Sequence, residues 1–227
     1  MVNTNIQLYS ICIILSFIVN AVIIFLLNKR QEKYVGYMLI YENIGFIYGG
    51  KLFTYLTNLD KYDSFDFLNI GFSSLGSLIG GLLFLLLFCI QFKKDIKKTM
   101  KMFIITIPLM YSIGKIGCFL VGCCYGIEYN GIGNIVYKYA SESINGIHLF
   151  PIQLVESIVF LIIFILSITR KYNTNFIILI SSFSKFILDF LRSGHTNTFI
   201  SVNQLVCLIF IIVSIIMIRK NNNVIYD

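Results

Sequence analysis

The run GKIGCFLVGCCYG, residues 114–126, sets Lys115, Cys118, Cys123 and Cys124 among residues that are otherwise apolar, aromatic or glycine. If this stretch closes a membrane span, Lys115 sits at membrane depth. A charge there costs roughly 2.5–3.5 kcal/mol on insertion scales and marks a functional site by default. The rest of the chain supports that reading. It is 57% hydrophobic and only 13% charged, against about a quarter charged in a soluble domain. Apolar runs of about 20 residues, the length that crosses a bilayer as a helix, recur throughout. We place spans at residues 6–28, 34–58, 65–92, 102–122, 151–169, 174–191 and 198–218. The expected fold is all-α: one integral membrane domain over residues 1–227, with seven transmembrane helices and a loop region at 123–150. The first apolar run lacks a basic leader and exceeds a typical signal core, so it is expected to be a span.

Charge distribution orients the helices. Lys29, Arg30, Lys33, Lys93, Lys94, Lys97, Lys98, Lys101, Arg170, Lys171, Arg219 and Lys220 fall in one set of loops, whereas Lys61, Lys138 and Arg192 fall in the other. The positive-inside rule then puts the N-terminus outside, the C-terminus in the cytoplasm and the 123–150 region outside. The net charge of +7 is a topological signal, and no nucleic-acid partner is expected.

Three lysines (Lys51, Lys115, Lys185) and three acids (Glu42, Glu156, Asp189) lie within the expected spans. They either serve a site or tie helices together in pairs. On the sixth span Lys185 and Asp189 stand four residues apart and can pair, with Arg192 a turn further on. On the fifth, which opens after Pro151, Gln153 and Glu156 share a face. Gly45-x3-Gly49 and Gly76-x3-Gly80 are small-residue spacings expected to pack helix on helix. Gly49 and Gly50 precede Lys51, and Gly114 precedes Lys115, leaving room for a ligand headgroup beside each cation. Gly114, Gly117, Gly122 and Gly126 are expected to break the end of the fourth span over a cavity opening outward. The C-x4-C-C pattern lacks the four ligands of a structural metal site, and His148 and His195 fall in outer loops. The cysteines are therefore expected to pack, a disulfide in this outward-facing segment being the alternative, with no metal and no other cofactor.

The order of motifs resembles the prolipoprotein diacylglyceryl transferase family along nearly the whole chain. Ser73-Ser74-Leu75-Gly76-Ser77-Leu78-Ile79-Gly80 is similar to its Ser-Phe-His-Gly-Gly-Leu-Ile-Gly run. Gly114-Lys115-Ile116-Gly117-Cys118-Phe119-Leu120-Val121-Gly122 resembles its Gly-Arg-x-Gly-Asn-Phe-x-Asn-Gly signature. Phe150-Pro151-Ile152-Gln153-Leu154-Val155-Glu156 resembles His-Pro-x-Gln-Leu-Tyr-Glu, and Lys185-Phe186-Ile187-Leu188-Asp189-Phe190-Leu191-Arg192 resembles Arg-Phe-x-x-Glu-Phe-x-Arg. The resemblance implies a multi-pass enzyme of the bacterial plasma membrane. Its members move the diacylglyceryl group of phosphatidylglycerol to the lipobox cysteine thiol of a preprolipoprotein and release glycerol phosphate.

Lys115 and Lys185 stand at the family's two arginine positions and, with Arg192, are the expected catalytic cations. Lys51, Gly114, Gly117, Gly122, Gln153, Glu156 and Asp189 are the expected substrate-binding residues. Leu75 stands where the family has its histidine, and Cys118 and Val121 stand at its asparagines. A non-catalytic phospholipid- or lipoprotein-binding protein of the same fold, and a transporter using the buried ion pairs, are the competing classes. The topology has a direct test. In a background without native cysteines, a cysteine placed in the 93–101 loop should resist an impermeant thiol reagent on intact cells, whereas one in 127–150 should react. The reverse labelling pattern would invert the orientation.

Overall fold

The computed structural model describes residues 2–27, 32–62, 64–67, 70–140, 144–170, 173–193 and 200–223. Among them are seven α-helices: α1 (Val2–Leu27), α2 (Glu32–Leu56), α3 (Ser74–Gln91), α4 (Ile96–Val121), α5 (Ile152–Thr169), α6 (Thr174–Asp189) and α7 (Val202–Asn223). Lys29, Arg30, Lys171 and His195, used in the sequence reading, lie outside the described residues.

All seven expected segments are helical, but their ends shift. The third starts at Ser74 because Ser73 caps it, accepting a hydrogen bond from the Gly76 amide. The fourth does not break at Gly114 or Gly117. It runs to Val121 and stops at Gly122, whose φ of +73° belongs to the left-handed region. Among the described residues, five helices are long and apolar enough to cross a membrane: Leu8–Leu27 within α1, then α3, α4, α5, and Val202–Lys220 within α7. Of the other two, α6 has only 16 residues, short of the roughly 20 a bilayer needs, and α2 carries Glu42 and Lys51 along its length.

Polarity is inverted relative to a soluble protein. Ile11, Ile14, Ile18 and Val22 on α1, Ile158 and Ile162 on α5, and Ile209, Ile212 and Ile216 on α7 are exposed, while Ser16, Asn20, Gln153, Glu156, Ser157, Gln204 and Ser214 are buried. Apolar outside and polar inside is the pattern of helices solvated by lipid. This is a multi-pass membrane protein.

The chain divides into two compact units, residues 21–103 and residues 1–20 with 104–227. In the first, α2 crosses α3 at glycine on both sides. A Cβ on Gly45 would lie 2.5 Å from the Gly80 carbonyl oxygen, and one on Gly49 would lie 2.4 Å from that of Gly76. The two sequence spacings are thus the two halves of one backbone contact. Tyr34, Tyr37, Tyr41, Phe88 and Phe92 form an aromatic cluster beyond it.

In the second unit, the segment between α4 and α5 carries a two-residue antiparallel ladder, β1 (Ile135–Val136) with β2 (His148–Leu149), in the register Ile135 to Leu149. Its start is sewn to the end of α6. The Ile127 amide donates to the Leu191 carbonyl at 3.1 Å, and the Ser193 amide donates to that of Tyr125 at 3.2 Å. These bonds hold Arg192 beside the turn that follows α4.

Replacing Gly49 by leucine should destabilise the protein by about 1–3 kcal/mol, because the α2–α3 contact cannot open without losing its length. Gly36→Ala, on the same helix with nothing within 4 Å, should be neutral or stabilising by up to about 1 kcal/mol. Loss of helical circular dichroism on heating in detergent distinguishes the two. Equal unfolding curves would mean the glycine contact contributes nothing.

Candidate active site

Small side chains let α4 and α5 approach. Ser112 Oγ donates to the Ser157 carbonyl at 2.8 Å and lies 3.0 Å from Ser157 Oγ. Tyr111 and Lys115, four residues apart on α4, thereby face Glu156 on α5. Lys115 Nζ lies 2.6 Å from Glu156 Oε2, and Lys185 Nζ, from α6, lies 2.5 Å from Glu156 Oε1. The Tyr111 hydroxyl donates to the same Oε1 at 3.0 Å, and its ring centroid is 5.1 Å from Lys115 Nζ and 5.6 Å from Lys185 Nζ. Lys185 also donates to Asp189 Oδ1 at 3.2 Å, and Arg192 Nη1 donates to that oxygen at 3.4 Å. Ser201, at the start of α7, donates its hydroxyl to Asp189 Oδ2 at 2.5 Å.

The result is one chain of charge, Lys115–Glu156–Lys185–Asp189–Arg192, drawn from α4, α5, α6 and the turn after α6. It holds three cations and two carboxylates, hence one surplus positive charge. Side-chain exposure grades from 0% at Glu156 and 7% at Lys115 to 22% at Arg192, so the guanidinium is the accessible end. Desolvation disfavours the Arg192 charge, yet Cys124, Tyr111, Glu156 and Asp189 together hold its pKa above the ordinary guanidinium range.

The other expected site residues fall in different places. Gln153 is buried and donates its amide to the Cys123 carbonyl at 2.9 Å, fixing the turn after α4. A Cβ on Gly117 would sit 2.8 Å from Cys12 Cβ, so this glycine admits α1. Gly114 has ordinary room, with Ile13 Cδ1 at 3.8 Å from a built Cβ. Gly122 supplies the left-handed turn and packs against Ala140 and Tyr137. Lys51 belongs to the other unit, where it donates to the Ile70 carbonyl at 2.9 Å and lies over the Phe67 ring. His148 is engaged with the Asn134 side chain at 2.8 Å. Of the expected site residues, the structure brings Lys115, Lys185, Arg192, Glu156 and Asp189 into one place, with Gln153 on the same helix as Glu156.

The sequence reading of the cysteines as separate packing residues misses an arrangement. The three sulfurs of Cys118, Cys123 and Cys124 lie within 4.8 Å of one another as free thiols. Gly122 at φ +73° and Cys124 at φ +54° flank Cys123 and fold the chain back onto the last turn of α4. Both Lys115 and Arg192 lie within electrostatic reach of Cys124.

The sequence model of the prolipoprotein diacylglyceryl transferase family matches residues 1–219. The chain belongs to that family. Among curated relatives, a phosphatidylglycerol–prolipoprotein diacylglyceryl transferase of Clostridium tetani is 28% identical over 211 residues, covering 85% of both chains. The second such enzyme of Clostridium perfringens is 28% identical over 165 residues, covering 69% of this chain and 64% of its own. A Campylobacter jejuni relative of the same name is 25% identical over 215 residues, covering 82% and 77%. Within this diacylglyceryl transferase fold, the two lysines at the motifs' arginine positions are the two that share Glu156. Leu75, at the histidine position, is half-buried in the first turn of α3 in the other unit.

The shared carboxylate makes a stability prediction. Glu156→Gln leaves buried Lys115 without a carboxylate and Lys185 with Asp189 alone, and should cost about 3–5 kcal/mol. Lys115→Met should cost less, because Lys185 and Tyr111 still hold Glu156 Oε1 and only Oε2 loses its cation. Combining the two substitutions should recover part of the Glu156→Gln loss, read by thermal unfolding in detergent. Strictly additive losses would show that the pair is not coupled.

Proposed function

We propose that the protein transfers the diacylglyceryl group of phosphatidylglycerol to the lipobox cysteine thiol of a preprolipoprotein. It does so from the bacterial plasma membrane, with seven membrane-crossing helices, the N-terminus outside, and a site open to the outer face. Family membership and the names of the relatives supply the reaction class and both substrates. The single observation that carries the assignment to this site is the buried charge chain with one cation in surplus.

The chemistry asks for that surplus. A thiolate attacks the glyceryl carbon, the C–O bond to phosphate breaks, and the electron pair stays on the departing glycerol phosphate. Negative charge therefore grows on the phosphate, and cations preorganised in a water-poor site stabilise it most. A phosphodiester monoanion matches one surplus positive charge. Lys115 and Arg192, at the two ends of the chain, meet the phosphate. Lys185, between Glu156 and Asp189, holds the carboxylates that position them. Lysine contributes a point charge where the motifs carry a planar fork, which suffices for a phosphate held by several cations. Leu75 offers no proton acceptor where the motifs carry histidine, an observation that favours the competing reading of a non-catalytic phospholipid-binding protein.

Reconstitution in phosphatidylglycerol vesicles with a lipobox peptide separates these readings by the mass added to the peptide and the glycerol phosphate released. Lys115→Met should lower transfer by about 100-fold or more, some 2.7 kcal/mol of transition-state stabilisation, whereas Lys115→Arg should retain substantial transfer. A folded Lys115→Met protein with full activity would remove Lys115 from the site. Lipid binding without any transfer by the native protein would establish the non-catalytic alternative.

A further inference from the structure

The reaction needs a thiolate, and none of the three cations makes one by taking a proton. The thiol cluster beside them offers another route. Cys118 lies three residues beyond Lys115 and so projects from the same side of α4. The backbone turn at Gly122 and Cys124 brings the next two sulfurs back to it. A non-glycine residue in the left-handed region is held there at a cost and is found where a side chain must be aimed. The Gln153 amide pins the Cys123 carbonyl from the buried face of α5, a support like those that orient metal ligands. Cys118 is buried, and Cys123 and Cys124 are half-buried. One side of the triangle is therefore closed and the other partly open.

We propose that Cys118, Cys123 and Cys124 bind one thiophilic divalent ion, zinc by chemical class, leaving its fourth position for the thiol of the incoming cysteine. Metal–sulfur bonds of about 2.3 Å at tetrahedral angles put ligand sulfurs about 3.8 Å apart, within the 4.8 Å that encloses these three. Three thiolates on a divalent ion leave one negative charge, and Lys115 and Arg192 lie within electrostatic reach of it. Three protein ligands and one open position is the arrangement of a catalytic rather than a structural site.

The role rests on the transferase reading. The substrate thiol coordinates as thiolate and its proton passes to water, since a coordinating thiol loses its proton outright. The sulfur lone pair then forms the S–C bond to the glyceryl carbon as the C–O bond breaks, its electrons remaining on the phosphate oxygen. Glycerol phosphate leaves and takes up a proton from water. The thioether, a weaker ligand than a thiolate, releases the ion unchanged. No oxidant or reductant is required.

The test uses the full-length protein in detergent and has three arms. Elemental analysis of protein expressed with zinc should find about one metal ion per chain, reduced at least about tenfold in Cys118→Ser, Cys123→Ser and Cys124→Ser. Loading with Co2+ should produce a sulfur-to-metal charge-transfer band, which needs no variant to fold. A lipobox peptide should then change that spectrum and release a proton, and its cysteine-to-serine counterpart should do neither. Native protein without bound metal or a band, serine variants that bind as much metal as the native chain, or a cobalt spectrum indifferent to the peptide thiol each overturn the proposal. So does undiminished transfer by metal-stripped protein, which leaves the transferase reading intact. Protein that binds metal and peptide thiol yet transfers nothing from phosphatidylglycerol upholds the site and defeats the reading beneath it.

Discussion

Glu156 is the constraint on which the second unit depends. A carboxylate with no exposed surface, in a bundle solvated by lipid, is tolerated only if cations and donors surround it. Here Lys115 comes from α4, Lys185 from α6 and the Tyr111 hydroxyl from α4 again. Asp189 then carries the chain onward to Arg192 and to Ser201 at α7. Between helices in lipid the hydrophobic effect gives little drive, so packing and polar ties set the register. The Ser112–Ser157 contact and the charge chain are such ties, and any slip of α4 along α5 breaks both.

Long apolar runs made the seven helical segments legible, because a span must satisfy its own backbone. Their ends were less so. Gly114 and Gly117 read as breaks, yet a helix tolerates glycine when its missing side chain admits a neighbour, as Gly117 admits Cys12. Gly122 ends α4 because it alone of these three adopts positive φ. Lys185 with Asp189 was legible because one helical turn separates them. Lys115 with Glu156 was a candidate pair among others, since pairing across helices depends on rotations that no periodicity records.

The cysteines were the least legible part. Their C-x4-C-C spacing lacks a fourth ligand and so reads as packing. Convergence of the sulfurs follows from two left-handed residues, one on each side of Cys123 and one of them a cysteine. The sequence signals the first through Gly122 and is silent about Cys124.

The ends of the charge chain differ from its centre in how each cation is used. Lys185 is shared between two carboxylates, whereas Lys115 and Arg192 each face one, Arg192 through a single N–H at 3.4 Å. The surplus charge therefore resides with Lys115 and Arg192 rather than at the centre. Both act electrostatically on Cys124, and backbone bonds from 125–127 to 191–193 fold the end of α6 over the turn that follows α4. The same backbone ladder that positions the guanidinium sets cation and sulfurs at one place, and under the proposed function a displacement of phosphate by sulfur requires that proximity.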